Sequence, residues 1–364
     1  MNSMFWQGKR VLITGHTGFK GSWLCEWLLQ SGALVTGYAL PPPTDPSMFD
    51  QIGLKSRINH IEGDVRNLTL LRHVITETCP DFVFHLAAQP LVRLSYDQPV
   101  DTYSTNIMGT VNVLEAIRLA ARPCVVVVVT TDKCYENKEW LYGYREEDPM
   151  GGHDPYSSSK GAAELVVDAY RRSYFSNPNL GISVASARAG NVIGGGDWAL
   201  DRIVPDCVRA LQNDEPIFIR NKFSTRPWQH VLEPLSGYLS LAIALSQRSE
   251  LHGEPFNFGP QAQQNHSVLE LVQKMALHWD QVRWKDVSKS EAGPHEAALL
   301  KLNCDKSLHY LQWNAVMGFE QTVQLTSEWY DEYFKRPNRV AGITNSQIEI
   351  YTELAKREGL SWAQ

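Results

Sequence analysis

The sequence predicts an α/β protein built on a doubly wound parallel sheet, with helices on both faces of the sheet and a smaller C-terminal lobe. Three observations lead to this prediction. Short β-branched runs alternate with longer amphipathic segments as far as about Gly190. A glycine-rich turn, Gly15-x-x-Gly18-x-x-Gly21, follows the first run. After Gly190 the alternation loosens, which indicates a different kind of structure.

The predicted elements alternate in chain order, as parallel pairing requires, because each parallel connection needs a crossover that is usually a helix. The predicted strands are residues 10–14, 34–38, 58–61, 82–86, 125–130 and 182–187, and the predicted helices are residues 20–30, 68–78, 102–120 and 158–174. Motifs follow the first, fourth and fifth strands, at residues 15–21, 85–89 and 130–133. These positions share the carboxyl edge of the sheet, where such sheets bind ligands.

Composition excludes several classes of protein. The chain has 364 residues, a net charge of −6 and no long basic run, so nucleic acid is not an expected partner. The longest apolar run, Cys124–Val129, has the length of a strand, so neither a membrane span nor a secretory signal is expected. Six cysteines without a Cys-x-x-Cys pair favour reduced thiols and a cytoplasmic protein. Eleven histidines without metal-ligand spacing predict no structural metal.

The glycine-rich turn predicts a dinucleotide site of the Rossmann type. Glycines permit the tight turn and a close approach to pyrophosphate, and the following helix offers free N–H groups. The predicted contacts are Gly15, His16, Thr17, Gly18, Phe19, Lys20 and Gly21, together with Leu86, Ala87, Ala88 and Gln89. The second strand ends without an acidic residue, yet no Lys or Arg lies between Ala33 and Asp50 to bind a ribose phosphate, so NAD is favoured over NADP.

Three more residues are candidates for this site. Asp64 and Val65 follow the third strand and could meet the adenine, although Asp64 could instead cap the helix at Leu68. Asn106 lies inside a predicted helix, either facing solvent or forming a hydrogen bond near the nicotinamide. Each assignment therefore has a structural alternative.

Tyr156 and Lys160 are four residues apart and lie on one face of a predicted helix. The ammonium favours the phenolate, so we expect it to lower the pKa of Tyr156 from about 10 toward neutrality. A phenolate beside a dinucleotide can take a proton from an alcohol while hydride leaves the carbon. The pair therefore predicts the catalytic base of an oxidation.

These motifs together resemble the extended short-chain dehydrogenase/reductase family. The resemblance rests on Thr14-Gly-x-x-Gly-x-x-Gly21, His85-Leu-Ala-Ala-Gln89, Asn106, Tyr156-x-x-x-Lys160 and Arg188-Ala-Gly-Asn191, and runs from residue 10 to about residue 330. It implies NAD as the cofactor and a homodimer joined by the helices at 102–120 and 158–174. The loosening of the pattern after Gly190 predicts an NAD-binding domain at 1–189 with a returning segment at about 225–258, and a substrate-binding lobe at 190–224 and 259–335. The polar tail at 336–364 is either a peripheral helix or partly mobile.

Thr131, Asp132 and Lys133 narrow the resemblance to the nucleotide-sugar 4,6-dehydratases, which carry Thr-Asp-Glu at this position. In that group the Asp is the acid toward the C6 hydroxyl and the Glu is the base at C5. With Lys133 in place of Glu, and with Gly194-Gly-Gly-Asp-Trp198, the chain is most similar to members that act on CDP-glucose.

The resemblance implies a redox-neutral dehydration. Tyr156, helped by Lys160, takes the C4 hydroxyl proton while hydride passes to NAD; water then leaves from C5 and C6 with Asp132 as the acid, and hydride returns to C6. Thr131 would hydrogen-bond the C4 oxygen. Lys133 would be the C5 base if its surroundings disfavour the protonated form, or would stabilise the enolate if charged. A structural ion pair with Asp132 is the third possibility.

The substrate lobe supplies candidate contacts for the diphosphate and the nucleoside. They are Asn191, Arg202, Arg220, Arg226 and His295, of which Asn191 matches the phosphate-contacting Asn of the family. Three other functions stay open. They are a dehydratase for dTDP- or GDP-sugars, a nucleotide-sugar 4-epimerase, and a non-catalytic protein that senses NAD. The Asp132-Lys133 pair argues against an epimerase, since epimerisation needs no acid at C6.

Overall fold

A parallel sheet of seven strands forms the centre of the protein, and helices cover both of its faces. The computed structural model describes residues 3–219, 221–279, 283–287 and 299–364. The strands are β1 (Arg10–Thr14), β2 (Leu34–Ala39), β3 (Asn59–Glu62), β4 (Phe82–His85), β5 (Cys124–Val129), β6 (Ile182–Ala189), β7 (Val192–Ile193), β8 (Ile217–Ile219), β9 (Thr225–Arg226), β10 (Gln229–His230), β11 (Pro255–Phe258), β12 (His266–Ser267) and β13 (Trp284–Asp286). The α-helices are α1 (Ser3–Trp6), α2 (Phe19–Gln30), α3 (Met48–Gln51), α4 (Leu68–Thr78), α5 (Val92–Asp97), α6 (Pro99–Tyr103), α7 (Gly109–Ala120), α8 (Pro155–Tyr170), α9 (Ile203–Gln212), α10 (Leu232–Gln247), α11 (Val268–Met275), α12 (Asp305–Leu311), α13 (Phe319–Lys335) and α14 (Val340–Arg357).

The strand order in the main sheet is β3-β2-β1-β4-β5-β6-β11, and each neighbouring pair is parallel. This order confirms the predicted α/β fold class. The six predicted strands agree with the observed ones to within two residues, whereas the sequence analysis did not predict β11 as a strand. The order reverses between β1 and β4, so the crevice at their carboxyl ends is where a ligand is expected.

The central strand β5 contains a run of valines because both of its faces are buried. All six of its residues are buried. Val125 and Val127 belong to the apolar core on one face of the sheet, and Val126 and Val128 to the core on the other face. Successive side chains of a strand point to opposite faces, so the strand has no polar side.

The two long helices predicted at 102–120 and 158–174 each contain a π-helical segment. Ser104–Met108 joins α6 to α7, and Arg171–Phe175 follows α8. Single π turns often occur at functional positions, and the first of these segments contains Asn106. No helix in the described residues is both long enough and apolar enough to cross a bilayer.

The chain beyond Gly190 builds one wall of a cleft from three small ladders. β7 pairs with β10 and β8 with β13 in parallel, while β9 and β12 are antiparallel. Between these ladders the chain returns to the main sheet, where α10 packs against β5 and β6 and β11 pairs with β6. The lobe is therefore tied to the carboxyl edge of the sheet from several directions.

The C-terminal segment, predicted as a peripheral helix, forms α14 and buries one face against α2. The rings of Tyr351 and Trp362 stack on each other, and both meet Trp27 edge-on. The Tyr351 hydroxyl donates to Glu233 Oε2 at 2.7 Å, and Glu233 Oε1 accepts the backbone N–H of Met317 at 2.7 Å. Burial raises the pKa of Glu233 to about 7. These contacts fix α14 on both α2 and α10.

Candidate active site

A cleft of about 840 Å³ lies between the carboxyl edge of the sheet and the lobe. The side chains that line it come from the start of α2, the turn after β5, the first turn of α8 and the segment after β6. The cleft brings together these predicted site residues: Phe19, Lys20, Thr131, Asp132, Lys133, Tyr156, Asn191, Arg202 and Arg226. Residues distant in sequence thus meet where parallel strands end.

The glycines of the turn after β1 are required by close packing. Gly15 has a φ of +76°, and a Cβ there would lie 2.6 Å from the backbone N of Ala87. A Cβ on Gly21 would lie 2.3 Å from the carbonyl oxygen of Gly15. Gly18 precedes α2, and no side chain caps this helix. The N–H groups of its first turn are therefore available to an anion.

His16 lies against the second strand, which ends without the acidic residue that usually binds a ribose. Its ring is buried against Gly37, and its Nε2 lies 2.7 Å from Nδ1 of His60. Burial lowers the pKa of His16 to about 4, and the neighbouring His60 acts in the same direction. The pair is therefore neutral near pH 7. The sequence analysis missed it, since nothing in the spacing of the two histidines connects them.

One of the two possibilities for Asp64, that it caps the helix beginning at Leu68, is wrong. Asn67 caps α4 by accepting the N–H of Leu70. The Asp64 carboxylate instead accepts two bonds from the Arg66 guanidinium, at 2.9 and 2.6 Å, and Arg66 holds the pKa of this carboxyl below its usual range. Val65 packs against Gly109, where a Cβ would lie 2.7 Å from Val65 Cγ2.

Asn106 does not face solvent, because its side chain is buried and fully hydrogen-bonded. Its Oδ1 accepts the N–H of Gln89 at 2.8 Å, and its Nδ2 donates to the carbonyl of Gln89 and to Ser159 Oγ at 2.8 Å. The side chain joins the loop after β4 to α8 (Pro155–Tyr170), the helix that carries Tyr156 and Lys160. Its effect on a cofactor would therefore pass through the position of Gln89.

A chain of hydrogen bonds connects the backbone carbonyl of Asn106 to Thr14, the residue before the glycine turn. The Ala87 N–H donates to Thr14 Oγ1, which lies 2.7 Å from His85 Nδ1. His85 Nε2 lies 3.2 Å from Thr110 Oγ1, which donates to the Asn106 carbonyl. Burial lowers the pKa of His85 to about 3. A neutral His85 ring with its proton on Nε2 accepts at Nδ1 from Thr14 and donates at Nε2 to Thr110. Every donor in the chain then has an acceptor.

Tyr156 and Lys160 lie together on α8, which begins with Pro155 after an Asp154 cap. The Lys160 ammonium donates to the carbonyl of Val129 at 3.2 Å, and burial lowers the pKa of Lys160 to about 8. Burial raises the pKa of Tyr156 to about 12, although a hydrogen bond with Thr131 opposes this. The predicted lowering is therefore wrong for the protein alone. The charge of Arg202 also lowers this pKa, but it does not outweigh burial.

One turn after Lys160, Glu164 forms a buried ion pair with Arg188 of β6. Arg188 donates to the two carboxylate oxygens at 3.0 and 2.9 Å, Ser186 donates at 2.6 Å, and Thr130 donates a further short bond. Arg188 also donates to Tyr135 Oη at 2.7 Å. The sequence analysis missed Glu164, although its position four residues after Lys160 was a usable signal.

The carboxylate of Asp132 is held on both oxygens. Thr131 Oγ1 donates to Oδ1 at 3.0 Å, and Asn191 Nδ2 donates to Oδ2 at 3.3 Å. Lys133 lines the same cleft, and its ammonium has no ion-pair partner among the described residues. The ion pair with Asp132, the third of the possibilities for Lys133, is therefore not formed. Lys20 is nearby, where burial and the charge of Arg202 lower the pKa of Lys20 to about 7.

The lobe contributes cations and one aromatic ring. Arg202 pairs with Asp197 at 2.8 Å, and Arg226 lines the cleft beside it. The two other predicted contacts, Arg220 and His295, lie outside the described residues. Phe218 also lines the cleft with 59% of its surface exposed, because it is the outward residue of β8 between two buried isoleucines. An apolar-aromatic-apolar strand could have indicated this position.

The described part of the chain contains no cluster of three His, Cys, Asp or Glu side chains that could hold a metal ion. The cleft therefore offers hydroxyl, carboxyl, phenol, ammonium and guanidinium groups. A phenol and a carboxyl face one space, close enough that the Asp132 charge raises the pKa of Tyr156. Such a pair can take a proton at one atom of a ligand and supply one at another.

The chain is similar over most of its length to several nucleotide-sugar enzymes. The model of a family described as GDP-mannose 4,6 dehydratase matches residues 12–326. CDP-glucose 4,6-dehydratase of Salmonella typhimurium is 50% identical over 335 residues, which span 91% of this chain and 93% of that protein. UDP-glucose-4-epimerase from Stenotrophomonas maltophila, solved with bound NAD, superposes with a TM-score of 0.78 at 21% identity, covering 90% of this chain and 99% of that one. dTDP-glucose 4,6-dehydratase from Bacillus anthracis, in complex with NAD, gives a TM-score of 0.72 at 23% identity, with 89% and 97% covered.

Replacing Glu164 by Gln is expected to lower the free energy of unfolding by about 3–5 kcal/mol, because it leaves the buried Arg188 charge without its partner. The control is Glu115→Gln, which removes a more exposed pair with Arg118 on α7 and should cost less than about 1 kcal/mol. Urea unfolding followed by tryptophan fluorescence measures both. Equal losses in the two variants would contradict the importance of the buried pair.

Proposed function

This chain belongs to the GDP-mannose 4,6-dehydratase family, and we propose that it converts CDP-D-glucose to CDP-4-keto-6-deoxy-D-glucose and water. The observation that carries the proposal is the Asp132 carboxyl in the same cleft as Tyr156. A dehydratase needs an acid for the departing C6 hydroxyl, whereas a 4-epimerase does not. The choice of CDP-glucose as substrate is supported by the relative from Salmonella typhimurium, which is 50% identical and is named CDP-glucose 4,6-dehydratase. The epimerase that superposes well supports only the fold.

We propose NAD as the cofactor, in the crevice at the glycine turn. The uncapped start of α2 and the glycine packing suit a pyrophosphate. When bound, NAD supplies the chemistry of hydride transfer, taking the hydrogen of C4 and returning it to C6. The neutral pair of His16 and His60 offers no cation to a ribose phosphate, which favours NAD over NADP.

In the first step Tyr156 takes the proton of the C4 hydroxyl. Its pKa, raised by burial to about 12 in the protein alone, must fall for this to occur. A positive charge in the cofactor site would lower it, and Lys160, fixed to the carbonyl of Val129, adds a second cation on the same helix. Thr131, whose side chain hydrogen-bonds both Tyr156 and Asp132, is suited to hold the C4 oxygen.

In the second step water leaves. The ketone at C4 acidifies the C5 hydrogen; a base removes that proton, and the C5–H electron pair forms the C5–C6 double bond. The bond from C6 to its oxygen breaks, and Asp132 gives the departing hydroxyl a proton. The carboxylate formed on Asp132 keeps the hydrogen bonds from Thr131 and Asn191. One proton is taken and one is given, so the elimination is balanced. When hydride is added to C6, the base returns its proton to C5, which completes the 4-keto-6-deoxy product.

Lys133 replaces the carboxylate base that this group of enzymes carries at the same position. Its side chain lines the cleft and has no ion-pair partner in the described ranges. Two roles are consistent with this. A neutral Lys133 would remove the C5 proton, and a charged one would stabilise the enolate that forms.

Diphosphate and base would bind on the lobe side. We propose Asn191, Arg202 and Arg226 as diphosphate contacts, with Arg220 and His295 as further candidates from the sequence. The exposed ring of Phe218 offers a flat apolar face on which a pyrimidine can stack. Reduced thiols at all six cysteines suit a cytoplasmic enzyme.

We also propose a homodimer with a second copy of the chain. The residues at 102–120 and 158–174, predicted to form its interface, carry large apolar side chains that are exposed: Tyr103, Met108, Leu119, Leu165 and Tyr174. Parallel faces of two helices from each copy would form a four-helix core. This surface is otherwise unexplained in a single chain.

Replacing Leu165 by Glu should convert the dimer to a monomer, because a charge in an apolar interface is left without a partner. Light scattering during gel filtration measures the mass. The control is Leu141→Glu, on a loop where the side chain is even more exposed, and it should leave the mass unchanged. A monomeric wild-type protein would contradict the proposal.

The role of Lys133 is separated by two substitutions. Lys133→Met should retain C4 oxidation and stall water loss by about 10²-fold or more, the usual contribution of a proton-transfer group. Lys133→Arg keeps the charge but cannot lose a proton, so it restores water loss only if Lys133 acts as a cation. Rapid quench with mass detection gives both steps. Lys138→Met, at the rim of the cleft, is the control, and near-normal water loss in Lys133→Met would exclude both roles.

The proposed reaction is tested by incubating the protein and NAD with CDP-, dTDP-, GDP- and UDP-glucose separately. We expect one water to be lost from CDP-glucose alone, without net reduction of NAD. Tyr156→Phe should lose this activity. Water loss from a different nucleotide sugar would keep the reaction and change the substrate. Unchanged masses with all four would reject the dehydratase.

A further inference from the structure

We propose that Gly190 is a positioning residue for the proton donor Asp132, and this inference rests on the proposed dehydration. A Cβ on Gly190 would lie 1.9 Å from Asp132 Oδ2, 2.1 Å from its Cγ and 2.4 Å from its Oδ1. These three atoms are the nearest to that position, and all belong to one carboxyl group. The carboxyl therefore packs directly on the backbone of Gly190.

The conformation of Gly190 does not by itself demand glycine. Its φ lies outside the left-handed region, where an L side chain would be strained. In this it differs from Gly15 and Gly196, which have φ values of +76° and +80°. Space for the Asp132 carboxyl is thus the reason for a glycine at this position.

The residue after Gly190 completes the seat of the carboxyl. Asn191 has a φ of +50°, which is uncommon for a residue with a side chain. This conformation accompanies the bond from its Nδ2 to Asp132 Oδ2 at 3.3 Å, while Thr131 binds Oδ1. Each oxygen has one donor, and the flat face rests on Gly190. With Asp132 only 2% exposed, the group is held in one orientation.

Gln229 prevents Gly190 from moving away. Its Nε2 donates to the carbonyl of Gly190 at 2.9 Å and to that of Phe258 at 3.1 Å. Its backbone N–H donates to the carbonyl of Asn191 at 3.2 Å. The segment is thereby fixed to β10 and β11. A methyl group at position 190 would displace the side chain of Asp132 rather than the backbone.

Displacement of a proton donor by about 1 Å can reduce a rate by about 10²-fold. Gly190→Ala should therefore slow water loss by about 100-fold. The first proton transfer uses Tyr156, and none of the three atoms nearest to the new methyl group belongs to it. Oxidation at C4 should stay within about 3-fold of the wild type, so that the variant accumulates the 4-keto hexose before water loss.

The experiment compares wild type, Gly190→Ala and Gly342→Ala in single turnovers with CDP-glucose and NAD. Gly342 is the matched control, since a Cβ there would meet no atom within 4 Å. Mass detection follows the unchanged, oxidised and dehydrated sugars, and the absorbance of reduced nicotinamide follows oxidation independently. We expect the oxidised sugar to persist in Gly190→Ala alone. Normal water loss, or an equal fall in oxidation and water loss, would overturn the proposal.

A double-substitution cycle tests whether Gly190 acts through Asp132. Asp132→Asn removes the proton donor, so adding Gly190→Ala to it should cost less than about 3-fold more. Independent losses that multiply would overturn the proposal. If Gly190→Ala does not fold, Asn191→Gly retains the left-handed backbone and removes one donor to the carboxyl. Asn191→Gly should also make the oxidised sugar persist. An unchanged ratio of oxidised to dehydrated sugar in this variant would contradict the role of these contacts in positioning Asp132. A wild type that loses no water would instead reject the proposed function.

Discussion

The buried ion pair of Glu164 and Arg188 is the interaction on which the rest of the site depends. It joins helix α8, which carries Tyr156 and Lys160, to the end of β6. Ser186 of β6 and Thr130, which directly follows β5, add hydrogen bonds to it. Charges removed from water are costly unless geometry and hydrogen bonds compensate, and here the carboxylate accepts four. The pair fixes the position of α8 relative to the sheet. It therefore also fixes Lys160, which lies one turn earlier on the same helix.

The chemical groups come from several strand ends because the topology brings those ends together. Asp132 and Thr131 follow β5, Gly190 and Asn191 follow β6, and Lys20 begins the helix after β1. Each group is held by a neighbour from a different element, as the amide of Asn191 holds Asp132. The cleft therefore depends on the register of the whole sheet rather than on one loop. This explains why a common fold can serve several reactions through changes at a few strand ends.

Local patterns were sufficient to predict six of the seven strands of the sheet and the main catalytic candidates. Alternating runs revealed the strands, since a buried parallel strand such as β5 needs apolar residues on both faces. The spacing of Tyr156 and Lys160 was visible because helical neighbours recur every four residues. Contacts between distant segments were not visible. They include the pairing of His16 with His60 and the burial that raises the pKa of Tyr156. The alternative that Asp64 caps α4 was wrong, because Asn67 caps this helix and Arg66 holds the Asp64 carboxylate.

The contact of α14 with α2 has a consequence for how the protein is made. Trp27 packs against Tyr351 and Trp362, so the core around the first long helix contains side chains that are more than three hundred positions apart in sequence. At typical rates of synthesis these partners leave the ribosome roughly 15–65 s after Trp27 does. During that interval the apolar face of α2 has no cover from the C-terminal helix. The nascent chain must therefore either be shielded by a chaperone or keep this face within an incomplete core until its last turn of helix is synthesised.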